Sequence, residues 1–214
     1  MEKVITKDSS VTFYSEKYKE TYRSISGAEE ESVKKFVEPA KVAEKAKSGR
    51  IDILDVCFGL GYNSAAAIDA ALKSNPNCKV SVLGLENDTE IISKIEEVNP
   101  SFQSYKIIKK LIKMHEISEK NIHIKLIIGD ARNTIKQLNT KFNVIFHDPF
   151  SPKACPELWT EEFFKDIAKV SQPGTILTTY SCARIVRDNL NKAGFNTEDG
   201  PCIGRKAPST IAYF

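Results

Sequence analysis

Histidine is scarce in this chain: there are three in 214 residues, and His115, His123 and His147 stand far apart. None lies at ligand spacing from a cysteine, so no metal centre is expected. The five cysteines, Cys57, Cys78, Cys155, Cys182 and Cys202, are an odd number with no Cys-x-x-Cys pair, and they read as free thiols. Long apolar runs are missing too. None approaches the roughly 18 to 20 uncharged residues that span a bilayer, and Met1-Glu2-Lys3-Val4 lacks a secretory hydrophobic segment. The expectation is a cytoplasmic protein without membrane contact. An excess of charge of either sign is also absent. Thirty-one basic residues against 28 acidic ones leave +3, so a polyanionic partner has to be met by a local patch. Oligomeric state is not legible at this level.

What is present is a regular alternation. With 41% apolar residues the chain can build one substantial core. The expected division is an N-terminal extension over residues 1–48, covering a cofactor site, and a main domain over residues 49–214. Apolar runs predict strands at Ile51 to Val56, Lys79 to Leu85, His123 to Ile128, Phe142 to Phe146 and Thr175 to Thr179. Helical patterns fall between them at about Asn63 to Leu72, Thr89 to Val98, Ala131 to Leu138, Glu161 to Val170 and Ala183 to Ala193. Such alternation gives a parallel sheet covered by helices. The ending differs, because Phe195 to Glu198 and Ser209 to Phe214 are short strands with no room for a helix between them, and they are expected to pair antiparallel. This succession is that of the class I S-adenosylmethionine-dependent methyltransferases, a Rossmann-like α/β fold with a mostly parallel seven-stranded sheet and an antiparallel C-terminal hairpin. Upstream, Val11 to Tyr14 reads as extended, Ser24 to Gly27 as a loop, and Glu29 to Lys47 as helical, broken at Pro39. An extra helix fits Tyr105 to Met114, where Ile107, Ile108, Leu111 and Ile112 share one stripe. Its other face, Lys106, Lys109, Lys110 and Lys113, is either a solvated surface or a phosphate-contacting patch.

The first strand closes in Asp55-Val56-Cys57-Phe58-Gly59-Leu60-Gly61. Gly59 and Gly61 let backbone approach a ligand, with Phe58 between the strand and the first of them. Cys57 stands where a dinucleotide-binding turn has its first glycine, which disfavours a pyrophosphate. A cofactor without phosphate is less demanding, and Asp55 can receive the ammonium of S-adenosylmethionine directly or through water. Glu86, closing the second strand, can accept both hydroxyls of a ribose. Asp130, followed by Ala131, can accept an adenine amino group or cap the helix that starts there. Asp148, at the end of the fourth strand and before the stiff loop Pro149 to Pro152, is the candidate catalytic carboxylate. A carboxylate there can hold an amine nucleophile, orient its lone pair and receive its proton.

Residues Phe150-Ser151-Pro152-Lys153-Ala154-Cys155-Pro156-Glu157-Leu158-Trp159-Thr160 closely resemble the methyltransferase domain of the MnmC family of tRNA 5-methylaminomethyl-2-thiouridine biosynthesis enzymes. Phe13-Tyr14-Ser15-Glu16 and Gly27-Ala28-Glu29-Glu30-Glu31 are similar to that family's N-terminal signature, and Thr179-Tyr180-Ser181, Ala193-Gly194-Phe195 and Gly204-Arg205-Lys206 follow in its order. The resemblance implies methylation of the amine of 5-aminomethyluridine, often 2-thiolated, at the tRNA wobble position, with the family's catalytic aspartate falling on Asp148. It also implies a place for Glu31 near cofactor or substrate. Phe150 and Trp159 become candidates to meet a base, and Lys153, Arg205 and Lys206 to meet phosphates. Many family members fuse an oxidase domain, so this chain is expected to be the stand-alone form. Two other readings stay open here: a class I methyltransferase or aminopropyltransferase acting on a small amine, and a non-catalytic nucleotide- or tRNA-binding module.

Overall fold

An apolar run buried on both faces belongs in the middle of a parallel sheet. Ile51–Val56 is mostly apolar, broken only by Asp52 and Asp55, and every residue in it is buried. A computed structural model describes residues 1–214. In chain order its elements are β1 (Glu2–Ile5), β2 (Val11–Ser15), β3 (Glu20–Thr21), α1 (Ala28–Glu31), α2 (Val42–Lys45), β4 (Arg50–Val56), α3 (Tyr62–Ser74), β5 (Lys79–Glu86), α4 (Thr89–Lys94) and α5 (Tyr105–Met114). There follow β6 (Glu116–Glu119), β7 (Ile122–Ile128), α6 (Ala131–Thr134), β8 (Phe142–His147), α7 (Glu161–Val170), β9 (Ser171–Thr179), α8 (Arg184–Lys192), β10 (Asn196–Asp199) and β11 (Thr210–Tyr213).

The main sheet runs β10-β11-β9-β8-β4-β5-β7-β6. Strands β4, β5, β7, β8 and β9 are parallel, and β11 returns antiparallel to β9 and pairs with β10. From β4 the chain winds outward through β5 and β7, then crosses to β8 and β9 on the other side. The order therefore reverses between β4 and β8, where open α/β sheets bind ligands at their strands' carboxyl ends. Those ends are level: Val56 pairs with His147, and the Asp148 N–H donates to the Val56 carbonyl at 3.1 Å. One face of the sheet packs on α3, α4 and α5, the other on α6, α7 and α8.

Three strands were not expected. β6 makes the sheet eight-stranded rather than seven-stranded, as a hairpin antiparallel to β7. The chain enters and leaves it through His115 and Lys120, both left-handed (φ 55° and 54°), without the Asn-Gly or Gly signals that advertise a hairpin. β1 and β3 flank β2 in a small antiparallel sheet of their own. The helical stretch over 29–47 is also more broken than expected: α1 widens into a π-helical segment, Ser32–Val37, before the break that holds Pro39. On α5, Ile107, Ile108 and Leu111 are buried, while Lys109 and Lys110 reach Asn99 and Glu119 on the outside.

Phe58 fixes the turn after β4 by close packing. A Cβ added at Gly84 in β5 would sit 2.6 Å from the Phe58 ring, and one at Gly61 would sit 2.7 Å from Ile108 and 2.8 Å from Phe58. Gly61 is also left-handed, at φ +73°. Gly61→Ala should therefore lose roughly 1–2 kcal/mol to backbone strain and about 1–3 kcal/mol to overpacking, measured by urea unfolding. Gly49→Ala is the control, since Gly49 has φ +89° but nothing within 4 Å. A loss at Gly61 no larger than at Gly49 would show that the Phe58 packing yields freely.

Candidate active site

The turn that leaves β4 is held by its neighbour strand. Cys57 and Phe58 both donate their N–H groups to the Leu85 carbonyl at 3.0 Å, and Cys57 takes φ +65°, a conformation suited to glycine. Gly59 then donates its N–H to Glu86 Oε2 at 2.8 Å. The other Glu86 oxygen accepts from the N–H groups of Asn87 and Asp88, at 2.8 and 2.9 Å. One buried carboxylate thus ties together the two loops that rim the carboxyl ends of β4 and β5, and burial pushes its pKa up. Asp88 caps α4 through Glu90 and accepts the Tyr22 hydroxyl on its second oxygen. Asp130 caps α6 by accepting the Arg132 N–H, and the Arg132 guanidinium folds back on the same carboxylate.

Asp55 lies beneath this turn, fully buried. Ser64 donates to its Oδ2 at 2.6 Å, whereas Oδ1 has no partner. Burial pushes its carboxyl up to about 7.

Asp148 stands in the cleft at the end of β8 and is the centre of a buried ionic network. Arg23 donates Nη1 to its Oδ2, and Asn63 donates Nδ2 to the same oxygen at 2.9 Å. The Arg23 Nη2 donates to Asn63 Oδ1 at 3.0 Å and to Ser32 Oγ at 2.7 Å, and lies 3.6 Å from Glu31. Glu31 also accepts from Lys35 at 2.9 Å and from the Ser24 N–H at 3.1 Å. Against the upward push of burial, Arg23 and Lys35 hold Glu31 below the usual carboxylate range. Burial raises Asp148 to about 7, with Arg23 opposing it. Sequence reasoning missed Arg23, because its partners Ser32, Asn63 and Asp148 lie 9, 40 and 125 residues away and no local pattern marks it.

These groups open on a cleft of about 640 Å3, within the usual size of small-molecule sites. Its walls bring together Phe58, Gly59, Glu86, Asp130, Ala131, Glu31, Asp148, Phe150 and Arg205 of the expected residues, and add Tyr18, Tyr22, Arg23 and Arg132. Asp55 and Gly61 lie behind the wall. Lys153 and Lys206 are exposed and outside the lining, whereas Arg205 reaches back to the Tyr180 carbonyl. Phe150 stacks on Tyr18 at 4.4 Å between ring centroids and meets Tyr22 edge-on at 4.8 Å. Trp159 is buried behind that loop. Its Nε1–H donates to the Phe150 carbonyl at 2.9 Å, and its ring packs against His147 and Tyr180. His147, pushed down to about 3 by burial, is a neutral packing residue. No cluster of three or more His, Cys, Asp or Glu side chains is arranged to hold a metal ion, and no helix is long and apolar enough to cross a membrane.

Comparisons with known proteins agree with this fold. The chain is 31% identical to an uncharacterised protein of Methanocaldococcus jannaschii, over 98% of this chain and 58% of that one. It is 26% identical to the tRNA 5-methylaminomethyl-2-thiouridine biosynthesis bifunctional protein MnmC of Leptospira interrogans, over 99% of this chain and 35% of that one. It therefore spans between about a third and three fifths of these relatives' length. Among solved structures, MNMC2 from Aquifex aeolicus superposes with a TM-score of 0.86 at 35% identity, covering 99% of this chain and 70% of that one. The spermidine synthase of Thermotoga maritima, at 13% identity and a TM-score of 0.53, shares the fold. The family described as S-adenosyl-L-methionine-dependent methyltransferase matches residues 94–214, and with the strand order and cleft above, this chain belongs to that family.

Proposed function

We propose that this chain methylates the amine of 5-aminomethyluridine, with or without 2-thiolation, at the wobble position of tRNA, and that it does so in the cytoplasm. The observation that carries the reading is Asp148: a carboxylate in the cleft at the end of β8, with both its side-chain hydrogen bonds on Oδ2. Oδ1 is the acceptor for the substrate amine. A primary amine is mostly protonated at neutral pH and must lose a proton before its lone pair can react. A carboxyl raised to about 7 by burial can take that proton or relay it. Arg23 and Asn63 meanwhile fix where it stands, which is the positioning that transfer to an uncharged nucleophile needs.

S-adenosyl-L-methionine supplies an electrophilic methyl group on a sulfonium. The residues present fit it: Glu86, on the wall, is a strand-end carboxylate suited to a ribose diol, and Asp55 Oδ1, a buried acceptor without a partner behind the wall, is placed to meet the ammonium through water. Phe58, Gly59, Asp130 and Ala131 complete the proposed cofactor wall, with Gly61 shaping its turn. Residues 1–48 form the cover, since Tyr18, Tyr22, Arg23 and Glu31 face the cleft from that segment. Phe150 is proposed to meet the base, Trp159 to brace it from behind, and Lys153, Arg205 and Lys206 to meet phosphates. A free polyamine is the poorer substrate, because Glu20 is engaged by Ser151 and Glu31 by Lys35, leaving few carboxylates for further amines.

Asp148→Asn keeps shape and removes charge. Methyl transfer to tRNA bearing 5-aminomethyluridine should fall by about 10² or more in single-turnover assays, while S-adenosyl-L-methionine still binds. A near-parental rate would remove Asp148 from the chemistry, and transfer to free polyamines but not to tRNA would overturn the substrate.

Asp55 gives a second check. Its carboxyl is raised in the fold from an ordinary 3.8 to about 7, so the folded protein holds this proton more tightly than the unfolded chain does. Its contribution to stability is full below 3.8 and is lost as pH rises through about 7. Asp55→Asn does not titrate, so its stability relative to the parent should climb across that window, by up to ~4 kcal/mol. Denaturant melts of both proteins at several pH values would show this, and parallel curves would mean that no such charge is buried.

A further inference from the structure

We propose that Arg23 is a positioning residue: with Asn63 its guanidinium locks Asp148 Oδ2, leaving Oδ1 to face the substrate amine. This rests on the role of Asp148 given above. The geometry is a closed ring of hydrogen bonds. Arg23 Nη1 and Asn63 Nδ2 both donate to Asp148 Oδ2, and Arg23 Nη2 donates back to Asn63 Oδ1. Neither the arginine fork nor the amide can turn without breaking two bonds. Ser32 and the face of the Phe36 ring, 5.4 Å from the guanidinium carbon, hold the fork from behind.

The charges around Asp148 make Arg23 decisive. From the segment after β3 comes Arg23, from α1 Glu31, from the π-helical turns Lys35, and from β4 Asp55; the Cys57 thiol and the Tyr180 hydroxyl are the remaining titratable neighbours. Lys35 is paired with Glu31, so Arg23 is the one cation in contact with Asp148. Without it, burial and the two nearby carboxyls favour the neutral acid, which cannot accept a proton from an ammonium. Arg23 thus acts through Asp148 rather than on substrate.

The test reads Asp148 directly. Carbon-13 NMR of aspartate-labelled protein without substrate, with the Asp148 signal assigned by its loss in Asp148→Asn, gives its titration. Arg23→Met should move that titration up by about one pH unit or more, Glu31→Gln should move it down, and Arg23→Lys should restore most of the parental value. The acid limb of the kcat/KM profile should follow in the same directions. A purely structural role would not produce opposite shifts at Arg23 and Glu31. A parental Asp148 titration in a folded Arg23→Met protein, checked by melting and S-adenosylhomocysteine binding, would overturn the proposal. If Arg23→Met does not fold, an unshifted titration in both Arg23→Lys and Glu31→Gln overturns it equally. Shifts in the titration that leave the rate profile unmoved would support Arg23's hold on Asp148 and sink the catalytic role of Asp148 instead.

Discussion

A guanidinium and a carboxylate that meet inside a protein give up several kcal/mol of hydration each, and the loss is offset only when their remaining hydrogen-bonding positions are also filled. The pairing of Arg23 with Asp148 sets that requirement for everything around the cleft. The short strand β3 delivers Arg23 across the carboxyl ends of β4 and β8, and α3 begins at Tyr62, so that Asn63 falls in its first turn. The widening of α1 into π-helical turns accompanies the inward placement of Glu31, Ser32 and Lys35, all buried. Two cations, Arg23 and Lys35, stand with two acidic groups, Glu31 and Asp148, so the buried cluster carries no net formal charge when Asp148 is ionised. The small N-terminal sheet is therefore tied to the main one by electrostatics as well as by packing.

The same cleft has a graded polarity. Its floor is acidic, with Glu86 and Asp148 on it and Asp55 just behind, all raised in pKa by burial. Its lining also includes Lys17, Arg132 and Arg205, two of them already engaged: Arg132 with Asp130, Arg205 with the Tyr180 carbonyl. A chain with a net charge of only +3 can thus present cations where a polyanion would arrive without being basic overall.

Much of this was legible in the sequence because it is local. The strands β4, β5, β7 and β8 are rich in Ile, Val, Leu and Phe, and a carboxylate stands at or just past the end of each, Asp55, Glu86, Asp130 and Asp148, so strand, turn and carboxylate could be read as units. What escaped was built from distant parts. Arg23 has no neighbour in sequence that explains it. β6 turns through Lys120 rather than glycine, and β1 and β3 are too short and polar to stand out from loop. Trp159 illustrates the other limit: its place in the loop was plain, but that its indole turns inward to hold the Phe150 carbonyl depends on packing against His147 and Tyr180 in the buried cluster that includes Phe163 and Phe164. The difference between a residue on the wall and one behind it, as with Gly61 and Asp55, is likewise a matter of packing and not of pattern.

The long span of the N-terminal contacts has a consequence for biogenesis. Tyr22 meets Asp88 66 residues later, Arg23 meets Asp148 after 125, and Glu20 meets Ser151 after 131. Contacts so far apart carry a large loop-closure cost and form late. On the ribosome this N-terminal segment emerges ahead of the main sheet, yet its anchoring partners do not exist until β8 and the loop after it have been made. The segment that finishes the cleft is thus synthesised before its partners and is among the last to settle. Until then the nascent sheet has its strand ends open, and the cleft is completed only once most of the polypeptide is out.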